Sequence, residues 1–147
     1  MKQELKQVTA EEVVGLRHRI LRAELPRGSA IFSGDELAAT LHCAAYLDGQ
    51  MVSCLTLMLS EWEGAPAWQL RGMATDESRQ KSGVGRSLVQ YAIGLARVKS
   101  PEIILFWCNA RVTAIGFYEK LGWRVVSEAF EVPTAGPHVR MLYRAPD

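Results

Sequence analysis

Little in this 147-residue chain suits covalent cross-linking, metal binding or membrane insertion. Cysteine occurs three times, as Cys43, Cys54 and Cys108, an odd number with no C-x-x-C pair. That usage fits reduced thiols rather than a disulfide framework. The three histidines, His18, His42 and His138, stand at no metal-ligand spacing, so no metal is expected. No apolar run approaches the roughly 20 residues that span a bilayer. The segment MKQELKQVTAEEV is polar and lacks the apolar stretch of a signal peptide. Together these features point to the cytoplasm. Charge of one sign is lacking as well: 17 Lys and Arg face 16 Asp and Glu, for a net charge of +1. Whole-molecule attraction to nucleic acid or an anionic membrane is therefore not expected. Repeats, low-complexity tracts and linkers are absent too. What is present is apolar residue, 48% of the chain, enough for one packed domain over residues 1–147.

Hydrophobic spacing divides that domain. KQELKQV reads as a first strand. TAEEVVGLRHRILRAEL reads as a helix, with Thr9 and Glu12 at capping-box spacing and Val13, Leu16, Ile20 and Leu21 recurring on one face. Pro26 and Gly28 end it, and GSAIFSGDE is a loop with room for a short helical turn. Two apolar runs, LHCAAYL and MVSCLTLML, flank Asp48-Gly49 as the arms of a hairpin. A break at EGAP returns the chain into AWQLRGMAT. GRSLVQYAIGLARV is helical, with Leu88, Tyr91, Ala92 and Leu95 on one face. EIILFWCN is a short buried strand. TAIGFYEKLGW is a helix closing at Gly122, and RVVSEAFEV with HVRMLYRA forms a last antiparallel pair. The order is βα(α)βββαβαββ, a mixed sheet with helices.

The segment RQKSGVGR, residues 79–86, lies between a strand and a helix. A loop that opens a helix presents unpaired N–H groups, and the helix dipole adds positive charge there. Glycine admits positive φ and lets a ligand reach the backbone. Arg79, Lys81 and Arg86 add full charges. The result is either a glycine turn with solvated basic residues or an anion site suited to phosphate. Two phosphate motifs do not match. A nucleotide P-loop needs Lys and then Ser or Thr after its last glycine, whereas Arg86 and Ser87 follow Gly85. The G-x-G-x-x-G fingerprint fails because its third glycine is missing.

A third pattern matches. Gln80-Lys81-Ser82-Gly83-Val84-Gly85 resembles the Q/R-x-x-G-x-G/A signature of the GNAT superfamily, the acyl-CoA-dependent N-acyltransferases. LRGMAT, eight residues before Gly83, is similar to that family's fourth strand, and NARVTAIGFYEKLGW (109–123) to its next motif. Specific motifs span residues 68–124. The resemblance implies an α/β (α+β) fold: a mixed, mostly antiparallel sheet of about seven strands, flanked by about four helices and splayed between strands 4 and 5. It implies acetyl-CoA as co-substrate and a primary amine as acceptor. The coenzyme would be held by backbone from Lys81 through Ser82, Gly83, Val84, Gly85 and Arg86 to Ser87, with Gln80 alongside. Main-chain groups of Met73 and Thr75 would pair with the pantetheine arm like an added strand, and Asn109 would hydrogen-bond the coenzyme. Met73 N–H would also serve the carbonyl oxygen. Tyr118 matches the family tyrosine that protonates the departing thiolate. Dimers are common in this family, and the last strands are candidate edges for a homodimer.

Other residues are read from position. Adjacent helical residues cannot both face a core, so Phe117 is expected inward and Tyr118 toward the cleft. Asn109 would otherwise cap a helix. On alternation Arg71 shares a face with Met73; directed at the acceptor it would favour a carboxylate or phosphate. Cys108 is a small buried hydrophobe in this reading, not a covalent nucleophile. No motif fixes a general base: Glu61, Glu63, Glu128, Glu131 and His138 are the candidates. The alternatives to an acetyltransferase are a non-catalytic coenzyme A sensor or interaction module, and a nucleotide-phosphate binder.

Overall fold

The computed structural model describes residues 2–147, beginning with strand β1 (Gln3–Val8). Helix α1 (Ala10–Leu21) follows at once because Thr9 caps it. The Thr9 hydroxyl accepts from the Glu12 N–H at 3.2 Å, and the Glu12 carboxylate accepts from the Thr9 N–H, the reciprocal capping box. The helix ends at Leu21, four residues before the expected stop. Arg22 leaves helical geometry while its N–H still bonds His18 O, and Pro26 disfavours the α region for the residue before it. The expected short turn is a 3₁₀ helix at Arg27–Ala30.

Strands β2 (Leu41–Leu47), β3 (Gln50–Trp62) and β4 (Ala65–Thr75) form a meander. Both hairpins turn on two residues of positive φ, Asp48-Gly49 and Glu63-Gly64, whose backbone matches strand twist. Helix α2 (Val84–Lys99) crosses to β5 (Leu105–Arg111). A 3₁₀ turn and short helix α3 (Ile115–Glu119) come next, then β6 (Arg124–Val125), β7 (Phe130–Val132) and β8 (Gly136–Arg144). The expected last pair is thus three strands. Ser127 interrupts the first arm: its side-chain oxygen accepts the Arg140 N–H at 2.8 Å where a ladder carbonyl would have done so. Among the described residues the count becomes eight strands and three α-helices, the expected fourth helix being the 3₁₀ turn at Arg27–Ala30.

The sheet order is β1-β2-β3-β4-β5-β8-β6, with β7 also on β8. All pairs are antiparallel except β4 with β5, which is parallel and runs only from Ala67↔Leu105 to Leu70↔Cys108. Beyond Leu70, β4 stays with β3 and β5 stays with β8, so the sheet parts between its fourth and fifth strands as expected. The final strand is not an edge. β8 lies inside the sheet, because β6 and β7 cover its second side.

The two faces of the sheet are packed differently. Helix α2 buries Leu88, Val89, Ala92 and Ala96 against Leu55, Leu57, Trp68 and Phe106. Helix α1 covers the other face with a smaller apolar group, Val13 and Leu16 on Ala44, Cys54 and Ala74. Among the described residues no helix is long and apolar enough to cross a membrane.

Candidate active site

The glycine motif opens α2. Gly83 is its N-cap, with φ of 91° and no side-chain cap. A Cβ at Gly83 would meet nothing within 4 Å, so the turn needs its backbone conformation and the space beside it is open. Gly85 has another task. A Cβ there would lie 3.1 Å from Met73 Cε and 3.4 Å from Phe117, so it lets α2 close onto β4 and α3. Val84 is buried and offers only backbone. The first-turn N–H groups have no helical partner. Lys81 and Arg86 are exposed, and no carboxylate pairs with Arg79, Lys81 or Arg86 among the described residues. Ser82 Oγ bonds Arg79 O and Ser87 Oγ bonds Gly83 O, while Gln80 Nε2 donates to Thr75 O at 3.1 Å. Gln80 thereby ties the turn to the end of β4.

Beside this turn the parted strands leave a cleft of about 340 Å³. Its β4 wall is bent by a bulge. Cys54 pairs with Ala74 and Thr56 with Arg71, so Leu55 faces both Gly72 and Met73. The extra residue overturns the simple alternation. Arg71 lies on the α1 face with Thr56, whereas Met73 packs toward α2 and Gly85. Gly72 takes φ of 61°, and a Cβ on it would stand 2.6 Å from Arg17 Nε. Thr75 lies beyond the bulge, its hydroxyl 2.9 Å from Ser53 Oγ.

Tyr118 and Phe117 both line the cleft, and their burial is the reverse of that expected. Tyr118 is 5% exposed, packed on Phe117 and Trp123, while Phe117 is half-buried. The short helix bends over the gap, so both rings meet it and Tyr118 also fills the core. Burial, and then the nearby Cys108, push the Tyr118 phenol well above its ordinary pKa. Cys108 lines the cleft too, but burial raises its thiol to about 12, which leaves it a poor nucleophile. Asn109 sits within β5 rather than after it, exposed to the cleft. No cap or turn uses its amide among the described residues.

Of the five candidate bases, only His138 lines the cleft. Its Nδ1 is 2.9 Å from Gly136 O. Donation from Nδ1 fixes the tautomer that leaves Nε2 as acceptor.

Sequence reading missed a buried polar cluster behind the α1 side of the cleft. Arg17 is 0% exposed. Its Nη1 lies 2.6 Å from Asp35 Oδ2 and 2.8 Å from Ala30 O, and its Nη2 lies 2.8 Å from Thr56 Oγ1. His42 bridges the same hydroxyl and Asp35 O. The cluster fastens α1, the 27–40 segment and β3 behind the bulge. One signal was legible: Arg17 falls four residues after Val13 on an otherwise apolar helical stripe.

Comparison with known proteins agrees with this geometry. The sequence profile described as "Acetyltransferase (GNAT) domain" matches residues 38–125. A Bacillus subtilis (strain 168) protein named "Uncharacterized N-acetyltransferase YitI" is 31% identical over 144 residues, covering 94% of this chain and 93% of that one. Among solved structures, Escherichia coli ElaA superposes with a TM-score of 0.79 at 17% identity, over 97% of this chain and 100% of that one. An aminoglycoside 6'-N-acetyltransferase complexed with coenzyme A does so with a TM-score of 0.71 at 17% identity, over 98% and 99%. The profile spans the parted strands and the glycine-started helix alike, the sequence relative extends the match to almost the whole chain, and the chain belongs to the GNAT family of acetyltransferases.

Proposed function

We propose that this enzyme transfers an acetyl group from acetyl-CoA to a primary amine by direct attack, with both substrates bound together. The observation that carries this reading is the parting of β4 from β5 directly beside an uncapped, glycine-started helix. The residues fit the coenzyme. Open space at Gly83 and the N–H groups of the segment Lys81 to Ser87, of which those of Ser82 and Ser87 already bond Arg79 O and Gly83 O, suit its pyrophosphate. The free edge of β4 at Met73 and Thr75, with the Asn109 amide opposite, suits its pantetheine arm.

Acetyl-CoA supplies the acetyl group as a thioester. The chain supplies the rest. His138 Nε2 accepts the proton of the amine, which is otherwise mostly ammonium near neutrality. Met73 N–H donates to the carbonyl oxygen as negative charge gathers there. A C–N bond forms as the C–S bond breaks, and the Tyr118 O–H gives its proton to the departing sulfur. The raised phenol pKa keeps Tyr118 protonated at working pH, as an acid must be. Both residues regain their starting state through solvent in the open cleft.

Incubation of the protein with acetyl-CoA and an amine panel should release free thiol together with an acetylated amine detected by mass spectrometry. Coenzyme A binding without thiol release on any amine would replace this reading with that of a sensor.

A further inference from the structure

We propose that the acceptor is a small amine bearing its own anionic group, a carboxylate or phosphate, which the cleft binds through Arg71 with Arg22 and Arg111. The proposal rests on the acetyl-transfer reading and names its substrate class.

Three elements bring these arginines to one cleft: Arg22 from the end of α1, Arg71 from β4 and Arg111 from the end of β5. No Asp or Glu among the described residues lines it. Register places Arg71 and Arg111 on the α1 face, opposite the face on which Met73 and Tyr118 pack. The charge around Phe32 is unbalanced. The guanidinium carbons of Arg17, Arg71 and Arg22 lie 4.0, 5.2 and 5.5 Å from its ring centroid. Asp35 bonds Arg17, and neither Arg22, Arg71 nor Arg111 has a carboxylate partner among the described residues.

Arg71 is held for the task. Its Nη1 donates to Ser33 O at 2.7 Å and rests 3.3 Å from Met58 Sδ, leaving Nη2 and Nε without a protein partner among the described residues. Burial lowers its pKa, the pull of Asp35 opposes that, and the weaker like charge of Arg17 adds to it. An arriving anion therefore relieves a partly buried cation that has no ion-pair partner of its own among the described residues. A planar fork with free donors suits a carboxylate or phosphate oxygen pair. The size of the cleft suits a small molecule.

The test compares matched amines under saturating acetyl-CoA: β-alanine as the carboxylate, O-phosphoethanolamine as the phosphate, and ethanolamine as the neutral reference. The parent enzyme should favour at least one anionic amine by roughly 10- to 100-fold in kcat/KM, the worth of a hydrogen bond to a charged group. The better of the two identifies the anion. Arg71→Met should collapse that preference through acceptor KM while KM for acetyl-CoA stays at the parent value. Arg22→Met, at the solvent end of α1, should reduce it in the same sense and guards against a fold defect in the first variant. Equal kcat/KM for all three amines would overturn the proposal and leave acetyl transfer standing, as would a preference that survives both substitutions. Absence of thiol release with every amine would instead remove the acetyl-transfer reading itself.

Discussion

The two faces of the sheet do comparable work with different materials. On the α2 face the site is made of backbone and apolar packing: a glycine-started helix, a close approach at Gly85, and two aromatic rings over the gap. On the α1 face it is made of charge, with Arg17, Asp35, Thr56 and His42 sealed together and the cleft arginines projecting from that base. The difference separates two demands. A coenzyme common to a family can be held by main chain, whose N–H groups every sequence supplies. An acceptor must be selected by side chains, and side chains near a bulge need a rigid polar support.

Substitutions can break this comparison or sharpen it. The largest effect is expected at Tyr118. Tyr118→Phe keeps the ring against Phe117 and Trp123, and should lower kcat by roughly 10²- to 10⁴-fold, with little change in KM for acetyl-CoA or in unfolding midpoint. Because the phenol pKa is raised, it stays protonated through the working range, so the pH–rate profiles of parent and variant should share their shape below pH about 10. A parental kcat would return Tyr118 to a packing role.

Next is Arg17→Met. Removing one partner of a buried pair strands Asp35, at a cost of roughly 3–5 kcal/mol, read by urea unfolding. Adding Asp35→Asn should recover part of the loss. A cost under about 1 kcal/mol would mean that the α1 face does not depend on this cluster.

Gly72→Ala and Gly83→Ala compare the faces directly. Both force alanine into positive φ, at about 1–2 kcal/mol. Only Gly72→Ala also drives a methyl against the Arg17 guanidinium, so it should cost more by roughly another 1–3 kcal/mol. Equal costs would deny the contact its importance.

The smallest effect concerns Asp76, which joins the faces. Its carboxylate accepts from Ser78 and from Arg19 of α1, and these bonds hold its pKa down at about 2. A depressed carboxylate stabilises the fold fully above the ordinary carboxylate range and loses that contribution as pH falls toward the folded value. Asp76→Asn should therefore flatten the dependence of the urea midpoint on pH between about 4 and 2. A slope equal to the parent's would assign the acid limb to other groups.

Legibility followed the same division. Periodicity, the Thr9 cap and the Asp48-Gly49 turn are local signals, and they located most elements. The glycine motif and the helix holding Tyr118 were readable for the same reason. The α1 face is assembled over long separations. Arg17 meets Asp35 18 residues away and Thr56 39 away, and Arg71 reaches Ser33 38 away, so no window contains both partners. The bulge at Gly72 had a symptom, a glycine inside a strand, but its effect on the direction of Arg71 depends on register with β3. The split of the last pair into β6 and β7 turned on one hydroxyl, that of Ser127, replacing a ladder acceptor.

The position of β8 has a consequence for biosynthesis. It lies inside the sheet, yet residues 136–144 are made after every other strand. The meander from β1 to β4 pairs neighbours in sequence and can close while translation continues. The other half must wait. Until Tyr143 arrives, Phe106 and Trp123 lack the ring that packs on both, and β5 holds to the sheet by four parallel pairs with its other side open. A nascent chain halted in this interval displays a bare strand edge beside unsatisfied aromatic surface, the kind of species that chaperones bind and that aggregates when they do not.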